Sequence, residues 1–209
     1  LFVTGNPYWD HLGRVKRELD CVNRQVLKRG MGIVGRKLIL FISQPLSGLR
    51  NWHGQYDEHK ALEKLSESVA LVCEGDEVDL WVKPHPREDK AALSEAIRSS
   101  GIRARVMDAG EEAYRTGRAA DLIIGMFSML LVEFALLGLP VVSFQPVVKS
   151  EDAFHLGFGI KTIVTEDELH ALLLTSWIPQ ISRPSIEAFK ATEEVLEVIE
   201  LNCNYRTRL

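Results

Sequence analysis

From Lys37 to Ser43 the chain reads K-L-I-L-F-I-S, a continuous apolar run without alternation, which is how a strand buried on both faces reads. Upstream, Leu1 to Thr4 is a short apolar piece, Gly5-Asn6-Pro7 is a turn, and a helix from about Tyr8 is predicted to continue, with a break, to about Lys28. Downstream the apolar positions switch regularly between strand-like runs and helical spacing. The pattern predicts helix 57–74, strand 78–82, helix 87–100, strand 103–107, helix 111–118, strand 122–124, helix 128–137 and strand 140–144. A short helical piece near 151–156, strand 162–164 and helix 166–176 complete the series.

Strands alternating with helices of this length imply right-handed crossovers and a parallel sheet covered on both sides, a doubly wound, Rossmann-like α/β domain. Residues 1–176 are expected to form it. Residues 177–209 read as a linker followed by a docking helix, with a helix-start proline at Pro184 and apolar residues Ile186, Phe189, Val195, Leu196 and Ile199 at roughly helical spacing.

With 209 residues, 46% hydrophobic and 26% charged, the chain has the balance of an ordinary globular domain. A formal charge of −4 supplies no basic field for a polyanion and argues against nucleic acid as the principal partner. Cys21, Cys73 and Cys203 have no ligand spacing and read as reduced thiols, which gives a cytoplasmic expectation. The longest apolar run, Met126 to Leu137, is broken by Glu133 and is too short to cross a bilayer, so membrane contact is expected to be peripheral, at the inner face. The chain opens on Leu1 inside a strand-like segment and reads as a piece of something longer.

In an open parallel sheet a ligand sits beyond the carboxyl ends of the strands. Four loops leaving such ends are candidates: Gly5-Asn6-Pro7, Ser43 to Tyr56, Lys83 to Pro86, and Gly125 to Ser128. In K-P-H-P, Pro84 and Pro86 fix the backbone around Lys83 and His85, so a cation and an imidazole leave a strand end in set directions, as a phosphate site requires. The alternative is a proline-stopped strand with a solvated lysine. In A-D-L-I-I-G-M-F-S-M-L-L-V-E, Ser128 is placed to cap a helix whose free N–H groups attract anions, and Glu133 stands alone in an apolar helix. A ribose diol would satisfy that carboxylate; a nearby Arg or backbone N–H would do so too.

His155 is placed to face a nucleotide base, or is a hydrogen-bonded loop residue. His11, His53, His59 and His170 share no spacing and read as surface or structural. Aromatics in Asn51 to Tyr56 suit stacking or a lid anchor equally. There is no D-x-D, and neither a metal nor a cofactor is expected.

The order G-N-P, buried strand, K-P-H-P and A-D-L-I-I-G-x-x-S-x-x-x-x-E-x-x-x-x-G-x-P-V-V resembles the C-terminal, donor-nucleotide half of GT-B glycosyltransferases. It is similar to CDP-glycerol glycerophosphotransferases and polysialyltransferases of capsule and wall-polymer synthesis, and, through Val3 to Asn6 and the later Ser and Glu, to UDP-N-acetylglucosamine 2-epimerases. The resemblance runs from about Leu1 to Leu174.

It implies that His85 contacts the donor phosphate as the catalytic group of this half, with Lys83 supporting the charge. Ser128 and the Met129 backbone would hold the phosphate, Glu133 the ribose, and Gly5 and Asn6 would line the cleft. The donor would be a CMP, CDP or UDP conjugate of a sugar or alcohol. A second Rossmann-like half would carry the acceptor and the catalytic base. Relatives usually have an acidic residue where this chain has Gly125, and two small polar residues nearby. That departure keeps a non-catalytic nucleotide-binding or scaffold module open, beside a 2-epimerase-like enzyme.

Overall fold

The computed structural model describes residues 6–33, 36–48, 56–73, 77–98, 101–108, 110–146, 157–175, 177 and 190–206, the side chains of 201–206 excepted. Among these, six parallel strands form one sheet: β1 Lys37–Ile42, β2 Val78–Lys83, β3 Arg103–Val106, β4 Leu122–Gly125, β5 Val141–Phe144 and β6 Lys161–Ile163. The order is β3-β2-β1-β4-β5-β6. The chain moves outward from β1 to β3, crosses back over β1 to β4, and continues the other way. Strand order therefore reverses between β1 and β4, the position at whose carboxyl ends open α/β sheets bind their ligands.

The described helices are α1 Tyr8–Asp20, α2 Arg24–Gly30, α3 Glu58–Val72, α4 Lys90–Arg98, α5 Ala113–Ala119, α6 Met129–Leu136, α7 Glu166–Leu174 and α8 Ala191–Arg206. Alternate residues of β1 point to opposite faces. Leu38, Leu40 and Ile42 meet α1, α2, α5 and α6, while Ile39 and Phe41 meet α3, α4 and α7. Burial on both sides is why β1 reads as an unbroken apolar run.

Element boundaries shift where capping overrides pattern. The break expected between Tyr8 and about Lys28 falls between Asp20 and Arg24, because Asn23 Oδ1 accepts from the N–H groups of Gln25 and Val26 and starts α2 anew. The helix expected from Arg87 begins at Lys90, because Glu88 N–H closes a turn on His85 C=O and Asp89 accepts from Ala91 N–H. Gly138, at φ 77°, ends α6 in the left-handed conformation while Leu139 N–H returns to Phe134 C=O. The C-terminal helix is described from Ala191 onward; Pro184 and the helical piece at 151–156 lie outside the described residues. Asp10 on α1 accepts from Thr192 N–H at 2.7 Å and ties α8 to α1.

Candidate functional site

Register places the relevant strand ends side by side. Ile42 pairs with Lys83 on one side and with Gly125 on the other, and Gly125 pairs with Ser143. Two strand spacings put the ends of β2 and β4 about 10 Å apart, with the loop after β1 between them.

The turn after β2 is held more firmly than its prolines require. Glu88 accepts from Ser43 Oγ at 2.6 Å and from the His85 backbone N–H at 2.5 Å, stapling the turn to the end of β1. Arg87 N–H donates to His85 Nδ1 at 3.2 Å, a bond that assigns the donor role to Nε2–H. Lys83 sits half-buried with its ammonium donating to Pro84 C=O at 3.1 Å and makes no ion pair among the described residues. A fixed imidazole N–H and an ammonium that makes no ion pair among the described residues thus share one strand end.

The loop after β4 is fixed from below and beside. Ser143 Oγ and Gln145 Nε2 donate to Met126 C=O, and Gln44 Oε1 accepts from Phe127 N–H at 2.6 Å, bridging the loops after β1 and β4. Ser128 is the N-cap of α6 and accepts from Leu130 N–H at 3.2 Å. The Ser128 and Met129 N–H groups have no acceptor among the described residues. They point from a helix start, where the macrodipole favours an anion. Met129 itself is 49% exposed.

Gly125 explains the absent acid. A Cβ there would lie 2.9 Å from the Ile42 carbonyl oxygen and 3.2 Å from Leu131 Cδ1, so β1 and α6 have closed the space for any side chain.

Glu133 is half-buried and finds its partner inside the protein: Tyr114 Oη donates to Oε2 at 2.6 Å. The partner is neither the arginine nor the backbone N–H that sequence reasoning offered. Tyr114 Oη in turn lies 3.0 Å from Tyr8 Oη, and the Tyr8 and His11 rings are 5.7 Å apart. Burial pushes the Glu133 carboxyl above its ordinary value, against the Tyr114 hydrogen bond and the nearby His11, which both pull it down. Burial, then the bonds to Glu133 and Tyr8, push the Tyr114 phenol well above its ordinary value of 10. Oε1 of Glu133 has no hydrogen-bond donor among the described residues.

Asn6 is exposed at the start of α1 and its Oδ1 accepts from Tyr8 N–H at 3.0 Å, which fixes the side chain and leaves its amide NH₂ free to donate to a ligand. Gly5 and His155, like His53 and the Asn51 to Gln55 segment, lie outside the described residues. His170 bonds Ser68 between α7 and α3, and His59 lies 3.7 Å from the buried Glu58, whose carboxylate holds Ser47. The structure therefore sets Lys83 and His85 at the end of β2 and Ser128 and Met129 just past the end of β4, on the same side of the sheet, while Glu133 lies further along α6, against Tyr114 of α5. Sequence reasoning missed Glu88, Gln44, Tyr114 and Tyr8. Glu88, three residues after His85, carried the signal of a turn-closing acid; the others carry none.

Among the described residues no group of His, Cys, Asp and Glu side chains is arranged to hold a metal, and no helix is long and apolar enough to cross a membrane. A cleft of about 670 Å³ lies between α1 and the start of α8, lined by Asp10, Arg14, Arg17 and Thr192 among others. None of Lys83, His85, Ser128, Met129 and Glu133 lines it.

No protein-family model matches the chain, and no curated protein sequence matches it. Solved structures do. A UDP-GlcNAc 2-epimerase from Neisseria meningitidis, bound to UDP-GlcNAc, superposes with TM-score 0.64 at 15% identity, over 95% of this chain and 54% of that one. A UDP-GlcNAc 2-epimerase from Methanocaldococcus jannaschii gives 0.62 at 11%, over 96% and 55%. The wall teichoic acid polymerase TagF gives 0.54 at 14%, over 100% and 53%. All are GT-B-fold proteins, so the chain has the fold of one half of a GT-B protein. It spans about half the length of the structures it matches.

Proposed function

We propose that the chain is the donor-nucleotide half of a glycosyltransferase-like GT-B enzyme of surface-polysaccharide or wall-polymer synthesis, binding a CMP, CDP or UDP conjugate of a sugar or alcohol. The observation that supports it most is the level row of strand ends at the β1/β4 switch point, which sets the His85 turn and the start of α6 about 10 Å apart. In this reading the donor phosphate accepts from His85 Nε2–H and from the Ser128 and Met129 N–H groups. The Lys83 ammonium adds positive potential.

As the bond to the nucleotide breaks, negative charge grows on the leaving phosphate, and fixed donors aimed there favour that state over the ground state. Glu133 accepts from ribose, and Asn6, Gly5 and His155 stand around the sugar and base. Residues 1–176 form the nucleotide-binding unit and 177–209 its linker and docking helix. A second Rossmann-like half supplies acceptor and base.

Calorimetry with CMP, CDP, UDP and their sugar conjugates tests the reading. His85→Ala is expected to weaken binding by roughly 1.5 to 3 kcal/mol, the range for losing a hydrogen bond to a charged group. His170→Ala, which removes only a contact between α3 and α7, leaves affinity unchanged. Absence of binding at millimolar ligand would sink the proposal. A second reading, a nucleotide-binding module without catalysis, is favoured by Gly125, where the space for an acid is filled. Binding without turnover of UDP-GlcNAc or any CDP conjugate, in a protein carrying both halves, would support it.

A further inference from the structure

Glu133 and Tyr114 meet because α5 and α6 approach closely at one glycine. A Cβ on Gly117 would lie 2.6 Å from Phe134 Cε1, a spacing only glycine permits without moving the ring. Tyr114, one turn earlier on α5, then packs edge-on against Phe134 with ring centroids 6.0 Å apart and delivers its hydroxyl to Oε2 of Glu133. A phenol has one proton. Because Tyr114 gives its proton to Glu133, the Tyr8 hydroxyl must be the donor in the 3.0 Å contact between the two tyrosines. The chain of donors runs one way, Tyr8 to Tyr114 to Glu133, and each bond polarises the next.

We propose that Tyr114 is a positioning residue that reserves one oxygen of Glu133, so that the site reads a single ribose hydroxyl rather than the 2′,3′-diol. The proposal rests on the nucleotide reading above. Oε2 accepts the phenol's proton, and the phenol is held there by the seat of its ring on Phe134. Oε1 is left to the ligand. Among the described residues, Tyr114 from α5 and His11 from α1 act on Glu133 directly, and Tyr8 from α1 acts through Tyr114.

Two arms test it. In the ligand-free protein, carbon-13 NMR follows the Glu133 carboxyl against pH in a His11→Ala background, with and without Tyr114→Phe. Removing a hydrogen bond to the charged form is expected to raise the Glu133 midpoint by about one unit, a roughly tenfold change in proton affinity. An unchanged midpoint overturns the positioning role.

In the second arm, UDP and its 2′-deoxy and 3′-deoxy counterparts are titrated into wild type and Tyr114→Phe. Wild type is expected to bind one deoxy analogue within about twofold of UDP and the other about tenfold more weakly, the cost of one hydrogen bond to a charged group. Tyr114→Phe frees Oε2 and makes both analogues weaker than UDP. Equal penalties for the two analogues in wild type, or none, overturn the single-hydroxyl claim. Failure of UDP and CDP to bind at all overturns that claim together with the nucleotide reading, while the ligand-free arm still decides whether Tyr114 sets the state of Glu133.

Discussion

Replacing Glu88 by alanine removes a staple that the two prolines cannot replace. Its carboxylate accepts from Ser43 Oγ and from the His85 N–H, and Ser43 is only 4% exposed, so its hydroxyl has little access to water as a substitute. Two charge-assisted bonds at about 1.5 to 3 kcal/mol each set a ceiling near 6, and the half-exposed position of Glu88 brings the expected loss to about 2 to 4 kcal/mol. For a chain of this length that lowers the thermal midpoint by roughly 4 to 16 °C. Glu88→Gln is the informative contrast. Its carbonyl can still accept from His85 N–H and its amide can donate to Ser43 Oγ, so only the charge is lost, at about 1 kcal/mol. Urea unfolding of the three proteins measures both values. Glu88→Ala within about 0.5 kcal/mol of wild type would refute the staple, since that is the scatter of ordinary surface substitutions.

Gly125→Ala forces a Cβ against the Ile42 carbonyl, which is fixed in the sheet, and is expected to cost about 1 to 3 kcal/mol by urea unfolding; Gly125→Asp costs more and does not restore an acidic site. Glu133 has a raised pKa in the folded protein, so its contribution to stability is full below its ordinary 4.5 and is lost as pH rises through the folded value. The stability of Glu133→Gln relative to wild type should therefore climb with pH above about 4.5, measured by denaturant unfolding at a series of pH values; a flat difference contradicts the burial argument. Tyr114 also has a raised value, so its contribution is lost above pH 10, and Tyr114→Phe should show a shallower alkaline fall in stability than wild type.

The fold was legible because the signals that define it are local. Strand β1 is apolar at five consecutive positions, Ser128 caps, Gly138 terminates, and each lies within a few residues of the element it shapes. The same locality delivered Lys83, His85 and Ser128 to strand ends. What the sequence hid is pairing across distance. Glu88 meets Ser43, 45 positions away, and Glu133 meets Tyr114, 19 positions away, through a helix contact that depends on Gly117 and Phe134. No periodicity encodes either pair. The carboxylate of Glu133 was correctly singled out as needing a partner, and the supply of that partner by a tyrosine became visible only once α5 and α6 were packed. Gly125 likewise reads as a missing acid in the sequence and as a tight strand contact in the structure.

Amide chemical-shift mapping during titration with UDP and CDP tests the central claim most directly. The account predicts the largest changes at Ser128 and Met129 and in the Lys83 to Glu88 turn, with smaller changes around Glu133, and their loss in His85→Ala at the same ligand concentration. Changes concentrated instead between α1 and α8, around Arg14, Arg17 and Thr192, would contradict it, as would an unperturbed spectrum at millimolar nucleotide.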